Sequence, residues 1–164
     1  MLAHLLHWIY EDGDWFHPKS NIEKMHHGEP LDDADRWPWL RAIAGWIDAT
    51  RRNGQHGIVA CSALKRAYGD ILVGDRRDVR IIFLKGNRDL IARRIAARAD
   101  HFMPPGLLDC QFKSLEEPKA DERPITFRSF TPSEIVETIV SELGLESRSM
   151  YGFRSEPPRR MMLR

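Results

Sequence analysis

Side chains suited to acid–base and anion chemistry are concentrated between residues 13 and 40, in GDWFHPKSNIEKMHHGEPLDDADRWPWL. Asp14, His17 and Lys19 come directly after the apolar run 8–10, which reads as a short buried strand. Polar groups just past the carboxyl end of a strand sit where α/β sheets bind ligands, so the substrate site is placed here. The arrangement recurs: Ser62 and Lys65 follow the apolar, partly β-branched run 57–61 and imply a second wall of the same cleft. A third group lies on a helical pattern, where Arg93, Arg94 and Arg98 share the face opposite Leu90, Ile91, Ile95 and Ala96. Arginines leading into a closing segment suit phosphoryl transfer, since closure excludes water and brings guanidinium groups to the transferring phosphate. Simple solvation of a helix face explains the same arginines equally well. Asp32, Asp33 and Asp35 also carry two readings, as functional carboxylates or, more commonly, as first-turn acids that favour the helix dipole. His26 and His27, taken with His17, make no metal site, because adjacent histidines point in different directions on a helix and no third ligand has suitable spacing.

These residues need elements to hold them. Ser20 with Glu23 has the spacing of a capping box, predicting a helix from near Asn21 to Gly28, and Asp32 opens a second helix. That helix carries Trp37, Leu40, Ile43, Ala44 and Ile47 on one stripe and stops at Asn53-Gly54. Leu2, Leu5 and Leu6 read as the last turns of a helix without an N-terminal cap. The runs 57–61 and 79–84 read as strands, residues 124–127 as a weak last strand, and Thr131-Pro132-Ser133-Glu134 as the capped start of a helix that Gly144 ends. Strand and helix alternate, which predicts an α/β fold with a mainly parallel sheet, helices on both faces and right-handed crossovers. Pro104, Pro105 and Gly106 interrupt the pattern and mark a lid at about 93–117. Residues 1–145 are expected to form one domain, and 146–164, rich in Arg, Pro, Ser and Met, a disordered basic tail.

Composition bounds the rest. The chain has 164 residues, 42% apolar and 30% charged, enough for a real core. A formal net charge of +1 gives no global basic field, so nucleic acid is not an expected partner. Cys61 and Cys110 lie far apart, which fits reduced thiols in a cytoplasmic protein, both read as small buried hydrophobes. The apolar start MLAHLLHWIY is interrupted by histidines and is too short for a membrane span or export signal.

Taken together, GDWFHPKSNIEKMHHGEPLDDADRWPWL, IVACSALKRAYGDIL, IIFLKG and ARADHFMPPGLLDCQFKSLEEP resemble the gluconokinase family of small P-loop kinases, over residues 8–143. The blocks occur in the family's order, and GDxxHPxxNxxKMxxGxPLxDxDRxPWL is a family signature. The resemblance implies a three-layer P-loop, nucleoside-monophosphate-kinase-like fold that usually dimerises, phosphorylating the 6-hydroxyl of D-gluconate with ATP and Mg²⁺ to give 6-phosphogluconate. It also implies site residues: Asp14 as the acid that orients the acceptor hydroxyl and takes its proton, Arg36 with His17 as holders of the sugar acid, and Lys65 and Ser62 beside them. Arg94, Arg98 and His101 would approach the phosphates, although a histidine beside an aromatic is more often structural. The sequence departs from the family at its beginning, where a strand and a GxxxxGK[ST] loop are expected. Residues 13–20 copy the outer spacing of that loop, but Pro18 has no amide hydrogen and Trp15 and Phe16 are too bulky for close backbone approach, so the stretch is read as a decoy. On this reading the first, central strand and the Walker A loop are missing, through a mis-assigned start or a truncated gene, and unpaired strand edges are exposed where they belong. Two alternatives follow: an inactive homologue that retains sugar-acid binding, or a related small kinase with another acceptor.

Overall fold

The computed structural model describes residues 1–97, 107–128, 131–145 and 160–163. Five parallel strands, β1 (Ile9–Asp12), β2 (Gly57–Ala60), β3 (Val79–Lys85), β4 (Ile125–Arg128) and β5 (Arg160–Leu163), form one sheet in the order β1-β2-β5-β3-β4. Because side chains alternate across a strand, neighbours in sequence enter different layers. Val59, Val79 and Ile81 pack with Trp39, Leu40, Ile43 and Ile47 of α3 (Asp33–Arg52) and with Tyr68 and Leu72 of α4 (Arg66–Leu72). Ile58, Ile82, Ile125 and Phe127 pack on the other face against α1 (Leu2–Leu6) and α7 (Pro132–Glu142) through Leu2, Val136 and Ile139. The three-layer α/β arrangement read from the sequence is therefore present.

Local signals explain the element ends. Asp32 caps α3 in a capping box with Asp35, and Thr131 caps α7 with Glu134, each at the expected residue. The other expected box does not form. The helix α2 (Lys19–His26) starts at Pro18, which places Ser20 inside the first turn, and no side chain caps it. Gly28 then takes φ +77°, ending the helix where expected.

Three further expectations are corrected. β1 is an edge strand whose Ile9 and Tyr10 are 37% and 51% exposed, so the run 8–10 is not a buried strand. Cys61 packs partly against the core but Cys110 is exposed, so the second cysteine is no buried hydrophobe. The largest correction concerns the tail: residues 160–163 are not disordered but form β5, hydrogen-bonded to β2 on one side and β3 on the other. The inner edges of β2 and β3, expected to lie open, are thus both paired. The remainder of 146–164 lies outside the described residues, as do residues 98–106 of the expected lid, which is bounded by α5 (Arg88–Ala96) and α6 (Leu107–Ser114).

Candidate functional site

The first turn of α3 distributes three neighbouring acids to three different tasks. Asp32 accepts the amide of Asp35 at 2.9 Å, and the Asp35 carboxylate accepts the amide of Asp32 in return. Both oxygens of the Asp35 carboxylate also accept from Lys24 Nζ of α2, at 2.8 and 2.9 Å, which holds its carboxyl below the usual carboxylate range. Asp33 points elsewhere. Its Oδ1 accepts from Lys65 Nζ at 2.6 Å and from the Tyr68 hydroxyl at 2.5 Å. Lys65 and then Tyr68 lower the Asp33 pKa, and Lys65 is raised by the same contact. Asp32 and Asp35 therefore close the helix start, and Asp35 pairs α3 with α2, while Asp33, also in the first turn, turns to Lys65 and Tyr68.

Asp33 lies on the wall of a cavity of about 540 Å³, open at one side, with Leu31, Arg36, Leu64, Lys65, Tyr68 and Ser114 among its lining residues. The cavity sits beyond the carboxyl end of β2, where Leu64 and Lys65 connect the strand to α4. Tyr68 is only 2% exposed and its ring is the floor on which two cations converge: Arg36 lies 5.8 Å and Lys65 5.5 Å from the ring centroid. Trp37 meets the same ring edge-on at 5.6 Å. Burial, then the bond to Asp33, pushes the Tyr68 phenol pKa up, so it stays a neutral donor. Arg36 spends its Nε weakly, on the Leu31 carbonyl at 3.4 Å, and its terminal nitrogens have no hydrogen-bond partner among the described residues. The far side of the cavity is tied to α4 by Glu116, whose amide donates to the Leu64 carbonyl and whose carboxylate accepts the Arg66 amide.

A second group stands beside this cavity rather than inside it. Asp14 belongs to a 3-10 helix, Gly13–Phe16, its amide donating to Asp12 Oδ1. Trp39 of α3 fixes that turn by donating its indole N–H to the Gly13 carbonyl at 2.6 Å. His17 stacks on the Trp39 indole, 4.6 Å between centroids and 9° from parallel, and its Nδ1 lies 3.3 Å from Asn21 Nδ2. Asn21, 2% exposed, also donates to the Asp35 carbonyl at 2.8 Å and so locks α2 to α3. Burial, then the neighbouring Arg36 charge, lowers the His17 pKa to about 4, leaving a neutral imidazole at pH 7. The Gly13–Ser20 stretch does not fit a phosphate cradle. A Cβ on Gly13 would stand 2.6 Å from Cys61 Cβ and 2.7 Å from the Ala60 carbonyl, and the amides of Asp14 and His17 are already engaged within the turn. The decoy reading of this stretch agrees with that geometry.

Of the residues expected from the sequence, Arg36 and Lys65 meet in the cavity, and His17 is electrostatically coupled to Arg36 through its position on Trp39. Asp14 and Ser62 do not line the cavity, although both follow strand ends next to it. Arg94 is exposed on α5, and Arg98 and His101 lie outside the described residues. Tyr68 and Trp39 were missed: an aromatic at helical spacing looks like core, and both indeed are buried, so only the polar end of each ring signals a further use. Among the described residues no group of three or more His, Cys, Asp or Glu is placed to hold a metal ion.

No family model matches the chain. Individual proteins do. The chain is 46% identical over 121 residues to the thermoresistant gluconokinase of Escherichia coli (strain K12), spanning 74% of this chain and 69% of that protein. It is 40% identical over 121 residues to the gluconokinase of Gluconobacter oxydans (strain 621H), covering 74% of this chain and 68% of that protein. The chain belongs to the gluconokinase family. Among solved structures, a sugar kinase from a Janibacter species superimposes with a TM-score of 0.81 at 37% identity over 89% of this chain and 85% of that one. A gluconokinase from Sinorhizobium meliloti 1021 does so with 0.74 at 38% identity, over 87% and 81%. The α/β fold expected from the sequence holds over the 87–89% of the chain that superimposes on these two structures.

Proposed function

We propose that this chain supplies the acceptor site of a kinase that, once completed by a phosphate-binding loop, phosphorylates D-gluconate at its 6-hydroxyl with ATP, giving 6-phospho-D-gluconate. The observation that supports this most is the cavity chemistry: a guanidinium whose terminal donors and a carboxylate one of whose oxygens have no hydrogen-bond partner among the described residues share one wall, the complement of a polyhydroxy acid. Guanidinium is suited to bidentate capture of a carboxylate, so Arg36, with His17 next to it, holds the acid group of the substrate. Lys65 lines the same cavity, and Ser62 flanks it. Asp14, just past β1, is the acid that orients the acceptor hydroxyl and takes its proton late in a loose transfer. Arg94, Arg98 and His101 are assigned to the phosphates. Mg²⁺ comes with the nucleotide, since a small cation that keeps its waters is usually held by phosphates and one or two carboxylates. The reading extends to a cytoplasmic homodimer; no described helix is long and apolar enough to cross a membrane.

A coupled assay of gluconate-dependent ATP turnover tests this, on residues 1–164 alone and on the same residues joined behind a strand and GxxxxGK[ST] loop. Residues 1–164 alone should show negligible turnover, because the phosphate cradle supplies most of the positioning and electrostatics of this chemistry and they contain no such motif. In the joined form, Asp14→Asn should lower kcat by roughly 10²–10⁴-fold with little change in KM, while Arg36→Lys should raise KM for gluconate more than it lowers kcat. A joined form that turns over another sugar acid but not gluconate would overturn the substrate assignment.

A further inference from the structure

We infer that Asp33 is a specificity-determining residue of this cavity, its Oδ2 accepting a hydrogen bond from a hydroxyl next to the carboxylate that Arg36 captures. The inference rests on the reading of the cavity as the acceptor site. Three observations carry it. Lys65 and Tyr68 both donate to Oδ1, so a second oxygen of the same carboxylate has no hydrogen-bond partner among the described residues. That carboxylate is not hidden: the Asp33 side chain is 48% exposed, on the cavity wall. Its neighbour one helical turn on is Arg36, with its terminal nitrogens likewise unpartnered. Residues three apart on a helix stand about 5–6 Å apart at Cβ, so a donor fork and an acceptor oxygen face one volume. A carboxylate and the hydroxyl on an adjacent or next carbon fit that spacing.

An ion pair that merely joined α3 to α4 needs only Lys65. The Tyr68 hydroxyl adds a second bond to the same atom and thereby fixes the carboxylate plane as well as its place. Tyr68 is thus a positioning residue that acts through Asp33, and Lys65 contributes to ligand choice by the same route. The pairing also orients the substrate. The acid end and its nearest hydroxyl lie between Arg36 and Asp33, which leaves the far end of a six-carbon chain to extend out of the cavity towards the transfer chemistry.

Calorimetric titration of residues 1–164 with D-gluconate, 2-deoxy-D-gluconate and 3-deoxy-D-gluconate decides it, with thermal melts to verify folding of each variant. The parent should bind gluconate at least about tenfold more tightly than one of the deoxy acids, since hydrogen bonds to charged groups are the stronger kind. In Asp33→Ala that preference should collapse to about one, because the group that reads the hydroxyl is gone. Tyr68→Phe keeps the ring under both cations and should reduce the preference only in part. A purely structural Asp33 would lower the melting temperature and weaken all three ligands alike, leaving their ratio unchanged. That result, or a parent that binds gluconate without preference over either deoxy acid, overturns the inference while the acceptor reading stands. A parent that fails to bind gluconate at all overturns the acceptor reading and this inference with it.

Discussion

His17 owes its neutral state to where it sits, flat against Trp39 and next to the Arg36 charge. The folded protein takes up a proton on this imidazole only near pH 4, whereas the unfolded chain does so near pH 6.5. Between those values the unfolded state binds the extra proton, so stability falls as pH falls through that window and the loss levels off below about 4. His17→Gln removes the titration, and urea unfolding at pH 7 and pH 5 should show a smaller drop in midpoint for the variant than for the parent. Equal drops would place the acid sensitivity in another group. The same residue scale shows where sequence reading stops. Asp32, Asp33 and Asp35 are ambiguous as first-turn acids in the sequence, where only Asp32 is placed as the start of the helix; the structure adds Asp35 as its capping-box partner. Nothing within the helix distinguishes Asp33, because its partners, Lys65 and Tyr68, arrive from more than thirty residues away. Arg36 and Lys65 were legible as chemistry; the tyrosine that spaces them was not.

At the scale of elements, one guanidinium adds a polar tie to the apolar packing between α3 and α4. Arg76 grips both oxygens of Asp48 at 2.7 Å and donates from Nη1 to the Ile71 and Leu72 carbonyls at the end of α4. The grip drives the Asp48 pKa down to about 2. One side chain therefore closes a helix end and ties it to the helix that carries Asp33 and Arg36. Arg76→Lys keeps the charge but loses the fork, and should cost about 1–2 kcal/mol in urea unfolding. Combined with Asp48→Asn it should cost less than the sum of the two single changes, since both remove the Arg76–Asp48 pair, while Asp48→Asn alone also loses the pairing with Arg51. Simple additivity would show that the two groups act separately. α4 was also the helix that the sequence did not announce: it is seven residues long, has no side-chain cap and contains Gly69, so propensity is weak and tertiary contact decides. α3 and α7 were legible because each begins with a cap at fixed spacing and then shows a long apolar stripe. Strands β2, β3 and β4 were legible as apolar runs, but β1 was misjudged as buried because a sequence does not show how many neighbours a strand has.

For the whole molecule, the decisive element is a four-residue strand and the least expected one. β5 alone connects the β1–β2 half of the sheet to the β3–β4 half, Met161 standing opposite Ile58 on one side and Arg80 on the other. A Pro-rich basic sequence gave no hint of this, since a four-residue run has too little periodicity to read and its pairing is set by the gap it fills. A chain ending at residue 159 leaves the inner backbone groups of β2 and β3 without strand partners, which buried amides do not tolerate. Amide exchange should then quicken at residues 58–60 and 79–82, and unfolding should become less cooperative, than in the full chain. Unchanged protection there would mean that β2 and β3 close on each other without β5.

The central place of β5 also sets a timetable. A ribosome delivers β2 and β3 well before it delivers residues 160–163, and nascent segments otherwise organise from the N-terminus as they emerge. This sheet has to wait. Until its closing strand is made, two apolar half-sheets exist side by side with open inner edges, the form in which a growing chain is most exposed to pairing with a neighbour and most in need of a chaperone.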